Sequence, residues 1–259
     1  MQNFQVRAYT MTVKTELVWG YQPLYIFEEC FVAPLSDGKL IAHDGKAILS
    51  LPTATDPVLS EHLLAIKDEV LAIFEIRQLI SHRMFELNEP QIIQYEPNGA
   101  RSVSVSITGA IGTVACGNAD VIGTDSDGNI VHNAKAERLV SETEFITSLT
   151  SKMLRSSTLR AMVRSYGQAV RDHRNELVHL YEIRDTVCNH FGSEMAARSA
   201  LRISRDIFSI LRQLANDKPL REGRHRGKKI ADLRPATKAE LAEARRIAQI
   251  IVKSFAETV

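Results

Sequence analysis

The sequence predicts an α+β protein: a strand-rich α+β domain over residues 1–133, followed by an all-α helical bundle over 136–259. Three observations carry this prediction. Alternating apolar and polar residues, broken by Asp-Gly and Pro-Asn-Gly turns, crowd the first half. Apolar residues at helical spacing fill the second. Charge divides in the same sense. Residues 1–150 hold 10 Lys+Arg against 19 Asp+Glu, a net of −9, and residues 151–259 hold 22 against 12, a net of +10.

Taken in order, "QVRAYTMTVKTELVW" alternates, with Val6, Ala8, Thr10 and Thr12 on one phase and Val13 and Leu17 on the other. "PLYIFEECFV" is a dense apolar run suited to a strand. Asp37-Gly38 and Asp44-Gly45 separate short apolar runs and predict hairpins. Pro57 opens a helix whose stripe is Leu59, Leu63, Ile66, Val70, Ile73 and Ile76. Strands return at "PQIIQYE" and "ARSVSVSIT", turned at Pro97-Asn98-Gly99, and shorter ones follow to residue 133. The helical half begins at "AERLVSETEF". One long helix is expected from Ser157 to His190, capped by Gly192. "SEMAARSAL" and "RDIFSILRQLAN" make two shorter helices, ended by Pro219. A last helix starts at Thr237, where Glu240 has capping-box spacing.

The chain of 259 residues, 44% hydrophobic and 24% charged, reads as soluble and globular, with no apolar run long enough for a membrane. Three widely spaced cysteines argue against a zinc site or disulfide framework. Together with an N-terminus unlike a secretory signal, they lead to a cytoplasmic expectation. No cofactor or metal is expected. In "TDSDGN", placing Gly128 at the sixth position of a calcium loop puts Gly123 and Ala134 where ligands are needed. The basic half calls for an anionic partner, and nucleic acid is the usual one; attraction between the two halves, or within a dimer, is the simpler alternative.

Arginine followed by histidine after four to six residues occurs three times: Arg77–His82, Arg174–His179 and Arg184–His190. Chance alone gives about two such spacings in a chain of this composition. Asn175 follows Arg174 and Asp185 follows Arg184, and "LYEIRD" leads into the last copy. With these residues, in an all-helical basic domain, the chain resembles the HEPN superfamily of helical nucleases and nucleotide-binding domains. The resemblance covers at most residues 136–259. It implies a metal-independent endoribonuclease or RNA-binding effector of the toxin or phage-defence kind. RNA is then the expected partner rather than DNA, and a homodimer through the helical domain is a further expectation.

Geometry on one continuous helix favours the last copy. At about 100° per residue, Arg174 and His179 are splayed by about 140° and read as solvated. Arg184 lies on the apolar stripe, and unwinding before Gly192 would turn His190 toward it. In the catalytic reading His190 moves the proton of a ribose 2′-OH, Arg184 holds the phosphate and Asp185 orients one of them. In the structural reading Arg184 pairs with a carboxylate on a neighbouring helix, and His190 is a helix-terminal residue.

Two further stretches are candidates for nucleic acid. The loop "REGRHRGKK" offers Arg221, Arg224, His225, Arg226, Lys228 and Lys229 to phosphates. "SEMAARSALRISRDIFSILRQLAN" resembles a helix-turn-helix with Ala197, Leu201, Ile203, Phe208 and Leu211 as its core, and Arg205, Arg212 and Gln213 available for a groove. Its turn position holds Arg202 instead of glycine. A non-enzymatic nucleic-acid-binding or adaptor protein is the alternative function.

Overall fold

The computed structural model describes residues 14–52, 56–95, 101–104, 122–124, 130–224 and 233–259. The fold is α+β, with an antiparallel sheet in the first half and helices in the second. Two compact units are present: residues 1–70 with 85–139, and residues 71–84 with 140–259. Each is built from two stretches of chain, so the division does not coincide with the change of pattern at 133–136.

The first unit is centred on β1 (Lys14–Gln22), which buries Thr15, Leu17, Trp19 and Tyr21 on one face. β2 (Phe31–Leu35), β3 (Gly38–His43) and β4 (Lys46–Pro52) form a meander, and β4 pairs antiparallel with β1. Asp44 and Gly45 have φ of 48° and 75°, the paired left-handed residues of the tight hairpin turn that Asp-Gly favours. The preceding hairpin turns one residue earlier than expected, at Ser36-Asp37. There the Glu69 carboxylate accepts from the Ser36 amide (3.2 Å) and hydroxyl (2.8 Å). β5 (Glu86–Leu87) pairs with the end of β1, and β6 (Gln91–Tyr95) and β7 (Arg101–Ser104) extend the sheet from the edge of β1 opposite β4. β8 (Ile122–Thr124) and β9 (Ile130–Asn133) form a separate pair.

α1 (Asp56–Ser81) explains why the units are discontinuous. Ile66 and Val70 form a one-sided stripe, whereas Ala72, Ile73, Phe74, Ile76, Arg77, Gln78 and Leu79 are all buried. A helix buried all round belongs inside a bundle. α2 (Ala134–Arg155) divides likewise. Lys135 and Arg138 pair with Glu29 (2.7 Å) and Glu28 (2.8 Å) in the first unit, and Ile146, Leu149 and Met153 are core residues of the second.

The helical unit continues with α3 (Ser157–Arg171), α4 (Glu176–Phe191), α5 (Glu194–Leu201), α6 (Arg205–Arg212) and α7 (Lys238–Ala256). The expected single helix from Ser157 to His190 is therefore two helices. Asp172 leaves helical geometry (φ −110°, ψ 77°), and His173–Asn175 form a 3-10 turn. The cause is local. Asp172 accepts from the Asn175 side chain (2.6 Å) and from its amide (3.0 Å), an alternative to the helical ladder that Asp and Asn side chains provide. The other punctuation is as expected. Gly192 ends α4 at φ 81°, and Thr237 and Glu240 form a complete capping box on α7. α6 runs on into a π-helical turn, Gln213–Asp217.

Among the described residues, no helix is long and apolar enough to cross a membrane.

Candidate active site at the helix break

The break between α3 and α4 exposes Arg174 and places Asn175 immediately before α4. His179 lies in the first turn of α4. Its Nδ1 is 3.2 Å from Glu182 Oε2, and its Nε2 is 3.6 Å from Asp172 Oδ2. The same Asp172 oxygen accepts from Asn175 Nδ2, and that bond, with a smaller contribution from His179, holds the Asp172 carboxyl below its ordinary range. Asp172, Asn175 and His179 thus form one polar group around the Asp172 carboxylate. Arg174 has no hydrogen bond or ion pair among the described residues, so its guanidinium is open to an anion. The 140° splay expected on a continuous helix does not apply across a turn that is not α-helical.

Beneath the turn lies a buried polar cluster that the sequence gives no sign of. Glu176, 1% exposed, takes a two-pronged ion pair from Arg245 on α7, with Nε to Oε1 at 2.5 Å and Nη2 to Oε2 at 2.9 Å. His82 Nε2 is 3.8 Å from the same carboxylate and His173 Nδ1 is 4.0 Å from it. His82 follows α1 with φ 51°, a left-handed conformation uncommon outside glycine. Its Nδ1 is 3.2 Å from the Tyr166 hydroxyl, which also accepts from Gln249 Nε2 at 3.0 Å. Burial, then the nearby Arg245 and His173 charges, push the His82 pKa down to about 4. Burial also pushes Tyr166 up to about 12. The ends of α1, α3 and α4 and the middle of α7 are tied together at this point, and the 3-10 turn rests on them.

Arg184, Asp185 and His190 are arranged differently. Arg184 is 8% exposed. It donates to the Tyr181 hydroxyl (2.8 Å) and to Asp185 (3.4 Å), forms an ion pair with Glu194 on α5, and lies over the rings of Tyr181 and Phe208. Asp185 also receives Arg224 at 2.8 Å, and Arg224 too lies over the Tyr181 ring. His190 is exposed, with Nδ1 3.2 Å from the Thr158 hydroxyl and its ring edge-on to Phe191 and Phe255. The expected unwinding before Gly192 is absent, because α4 stays helical through Phe191. Six helical residues separate Arg184 and His190 by about 120° and about 9 Å of rise. The two side chains have different partners and are not brought together, and Arg184 has the carboxylate on a neighbouring helix that a structural role requires.

Of the basic loop, Arg221 is exposed and Arg224 is engaged with Asp185 and Tyr181; His225, Arg226, Lys228 and Lys229 lie outside the described residues. Arg77, in the remaining Arg–His spacing, is 4% exposed and paired with Glu142 at 2.5 Å. Among the described residues, no group of three or more His, Cys, Asp or Glu side chains is arranged to hold a metal ion.

The sequence signal for the break was the Asp-His-Arg-Asn order, in which two residues that hydrogen-bond locally flank the arginine. No signal of that kind links Glu176 to Arg245 and His82, which come from distant parts of the chain.

No protein-family model matches this chain, and neither a curated protein nor a solved structure shows a significant match to it.

Proposed function

We propose that this chain is a metal-independent endoribonuclease of the HEPN type, with its reactive group at Arg174 and His179 instead of Arg184 and His190. The observation that carries the reading is the helix break, which leaves Arg174 exposed and without a hydrogen bond or ion pair among the described residues, next in sequence to Asn175, whose side chain shares the Asp172 carboxylate with His179. A cationic, planar guanidinium suits a phosphodiester, to which it can donate two parallel hydrogen bonds. An imidazole oriented by neighbouring carboxylates is a group that can take up a proton from a hydroxyl.

The chemistry follows from those two groups. A ribose 2′-hydroxyl loses its proton to His179, and its oxygen attacks the neighbouring phosphorus. The 5′-oxygen leaves and takes a proton from water. The products are a 2′,3′-cyclic phosphate and a 5′-hydroxyl. Arg174 offsets the charge that grows on the phosphoryl oxygens. Asp172 and Asn175 hold the imidazole and the turn, and the Glu176–Arg245 pair holds the turn against α7. The free thiols of Cys30 and Cys188 support action in a reducing cytoplasm, where the RNA partner is found.

The test is cleavage of a mixed RNA pool in EDTA, followed by analysis of the ends. Activity with 2′,3′-cyclic phosphate ends, lost in His179→Ala and in Arg174→Ala, is the expected result. An active His179→Ala protein, or a parent that leaves RNA intact, removes the proposal.

A further inference from the structure

His82 sits where α1 ends, two residues before the chain leaves the helical unit at Met84. Side chains from three other helices surround it. Gln249 of α7 donates from Nε2 to the Leu79 carbonyl at 2.7 Å and to the Tyr166 hydroxyl at 3.0 Å, which uses both protons of its amide nitrogen. The Tyr166 oxygen therefore accepts from Gln249, and its own proton is left for His82 Nδ1 at 3.2 Å. An imidazole that accepts at Nδ1 carries its single proton on Nε2. That nitrogen is buried, has no hydrogen bond among the described residues, and lies 3.8 Å from Glu176 Oε1. The donors thus run one way, from α7 through Tyr166 of α3 to His82 and on toward α4, and the series closes only around a neutral ring.

Protonation reverses the fit. A proton on Nδ1 meets the Tyr166 hydroxyl proton, and that hydroxyl has no other acceptor among the described residues. The charged and titratable groups around the ring are Tyr166 from α3, His173 from the 3-10 turn, Glu176 from α4 and Arg245 from α7. Only Glu176 attracts a cation, and Arg245 already engages both of its oxygens. Burial, then Arg245 and His173, oppose a charge on the ring. The way out is short, because the His82 side chain is already 18% exposed. Its left-handed backbone (φ 51°) is a strained conformation that release relieves.

We propose that His82 is an acid-released latch: neutral, it fastens the end of α1 to α3 beside α4, and protonated, it swings out to solvent and frees residues 79–84. The His82 amide donates to the Gln78 carbonyl (2.8 Å) and Gln78 Nε2 donates to the Arg83 carbonyl (3.1 Å), so the last turn of α1 and the chain after it are closed by bonds on either side of the latch. Glu176 stays with Arg245, so the 3-10 turn keeps its support and the opening is local. A released ring titrates near the ordinary histidine value of about 6.5 and the latched one at about 4, so proton linkage makes release roughly 20-fold more favourable at pH 5 than at pH 7. The latch does not depend on RNA cleavage.

The experiment is hydrogen–deuterium exchange of the full chain at pH 7 and pH 5, read by mass spectrometry and corrected for the intrinsic pH dependence of exchange. Peptides covering residues 79–84 are compared with peptides from inside α4, residues 180–190, which report any general loosening. In the parent, protection at 79–84 should fall about 5- to 20-fold more than protection in α4. His82→Asn tolerates the left-handed backbone and cannot titrate, so that excess should shrink below about twofold. Tyr166→Phe removes the hydroxyl that donates to Nδ1. It should lower protection at 79–84 already at pH 7, relative to α4, and reduce the further loss at pH 5. The parent and Tyr166→Phe decide the matter by themselves should His82→Asn not fold. An equal change in both sets of parent peptides overturns the proposal. So does an excess that survives in a folded His82→Asn protein, or unchanged protection at pH 7 in Tyr166→Phe.

Discussion

Arg174–His179 and Arg184–His190 are nearly the same letters, ten residues apart, yet their surroundings differ in every respect that matters for chemistry. The first pair straddles a 3-10 turn, with the arginine exposed and without a hydrogen bond or ion pair among the described residues, and the histidine set between two carboxylates. The second lies within a regular helix, its arginine buried against Glu194, Tyr181 and Phe208 and its histidine facing Thr158 and Phe255. A guanidinium already engaged by a carboxylate and two rings is an anchor for packing. A free one at a backbone break is available to a substrate. Spacing alone does not distinguish the two, and the backbone between the residues does.

The largest effect expected from this contrast is on activity. His179→Ala should lower RNA cleavage by about 10²- to 10⁴-fold, the usual range for loss of a general acid–base group. His190→Ala should leave the rate within about twofold and stability within about 1 kcal/mol. Rates measured on the two purified proteins decide between the pairs, and the reverse pattern would falsify the assignment.

Stability should show the opposite ordering of the arginines. Arg184→Ala removes a buried cation from Glu194 and uncovers Phe208, which should cost about 3 kcal/mol. Arg174→Ala, at an exposed position, should cost less than about 0.5 kcal/mol. Denaturant midpoints of the two variants measure this. Equal midpoints would mean that Arg184 is not an anchor.

A smaller effect should appear with pH at the cluster beneath the break. The folded pKa of His82, about 4, lies below its unfolded value. Between the two, the unfolded chain binds more protons, so stability rises with pH. The contribution is complete above about pH 6.5 and is lost as pH falls toward 4, at most ~3 kcal/mol and less with partial solvent access. His82→Asn keeps a side chain that tolerates the left-handed backbone and removes the titration. Melting curves at pH 7 and pH 4.5 should therefore converge in this variant relative to the parent. An undiminished pH dependence would place the titrating group elsewhere.

The smallest expected effect is at the turn after α5. Arg202 holds φ 54°, where a side chain costs roughly 1 kcal/mol that glycine avoids. Arg202→Gly should raise the melting temperature by a few degrees. A lower melting temperature would show that the arginine side chain stabilises the turn.

Much of the architecture was legible because its causes are local. Asp44-Gly45 makes its turn through two residues that accept positive φ. Gly192 ends α4 for the same reason, and Thr237 with Glu240 starts α7 by reciprocal hydrogen bonds three residues apart. The alternation in β1 is a periodic pattern that a single face must satisfy. The break at Asp172 was local too, but apolar periodicity on both sides concealed it. Val170 and Leu177 are both buried, so the stripe runs across the interruption and suggests one helix. The expectation that Arg174 and His179 are splayed and solvated rested on that continuity.

By itself the sequence determined the α+β class, the caps, the turns and the apolar faces, since each depends on residues within a turn or two of one another. Tertiary structure decided which arginines are consumed and which remain free. Glu176 meets Arg245 from 69 residues away, Arg77 meets Glu142 from 65, and the later half of α1 is buried in the helical unit. A charge on an apolar stripe requires a partner, because leaving it unpaired in a low-dielectric interior is costly. The sequence specifies that requirement, but the partner is chosen by whichever carboxylate the packing of helices brings within reach.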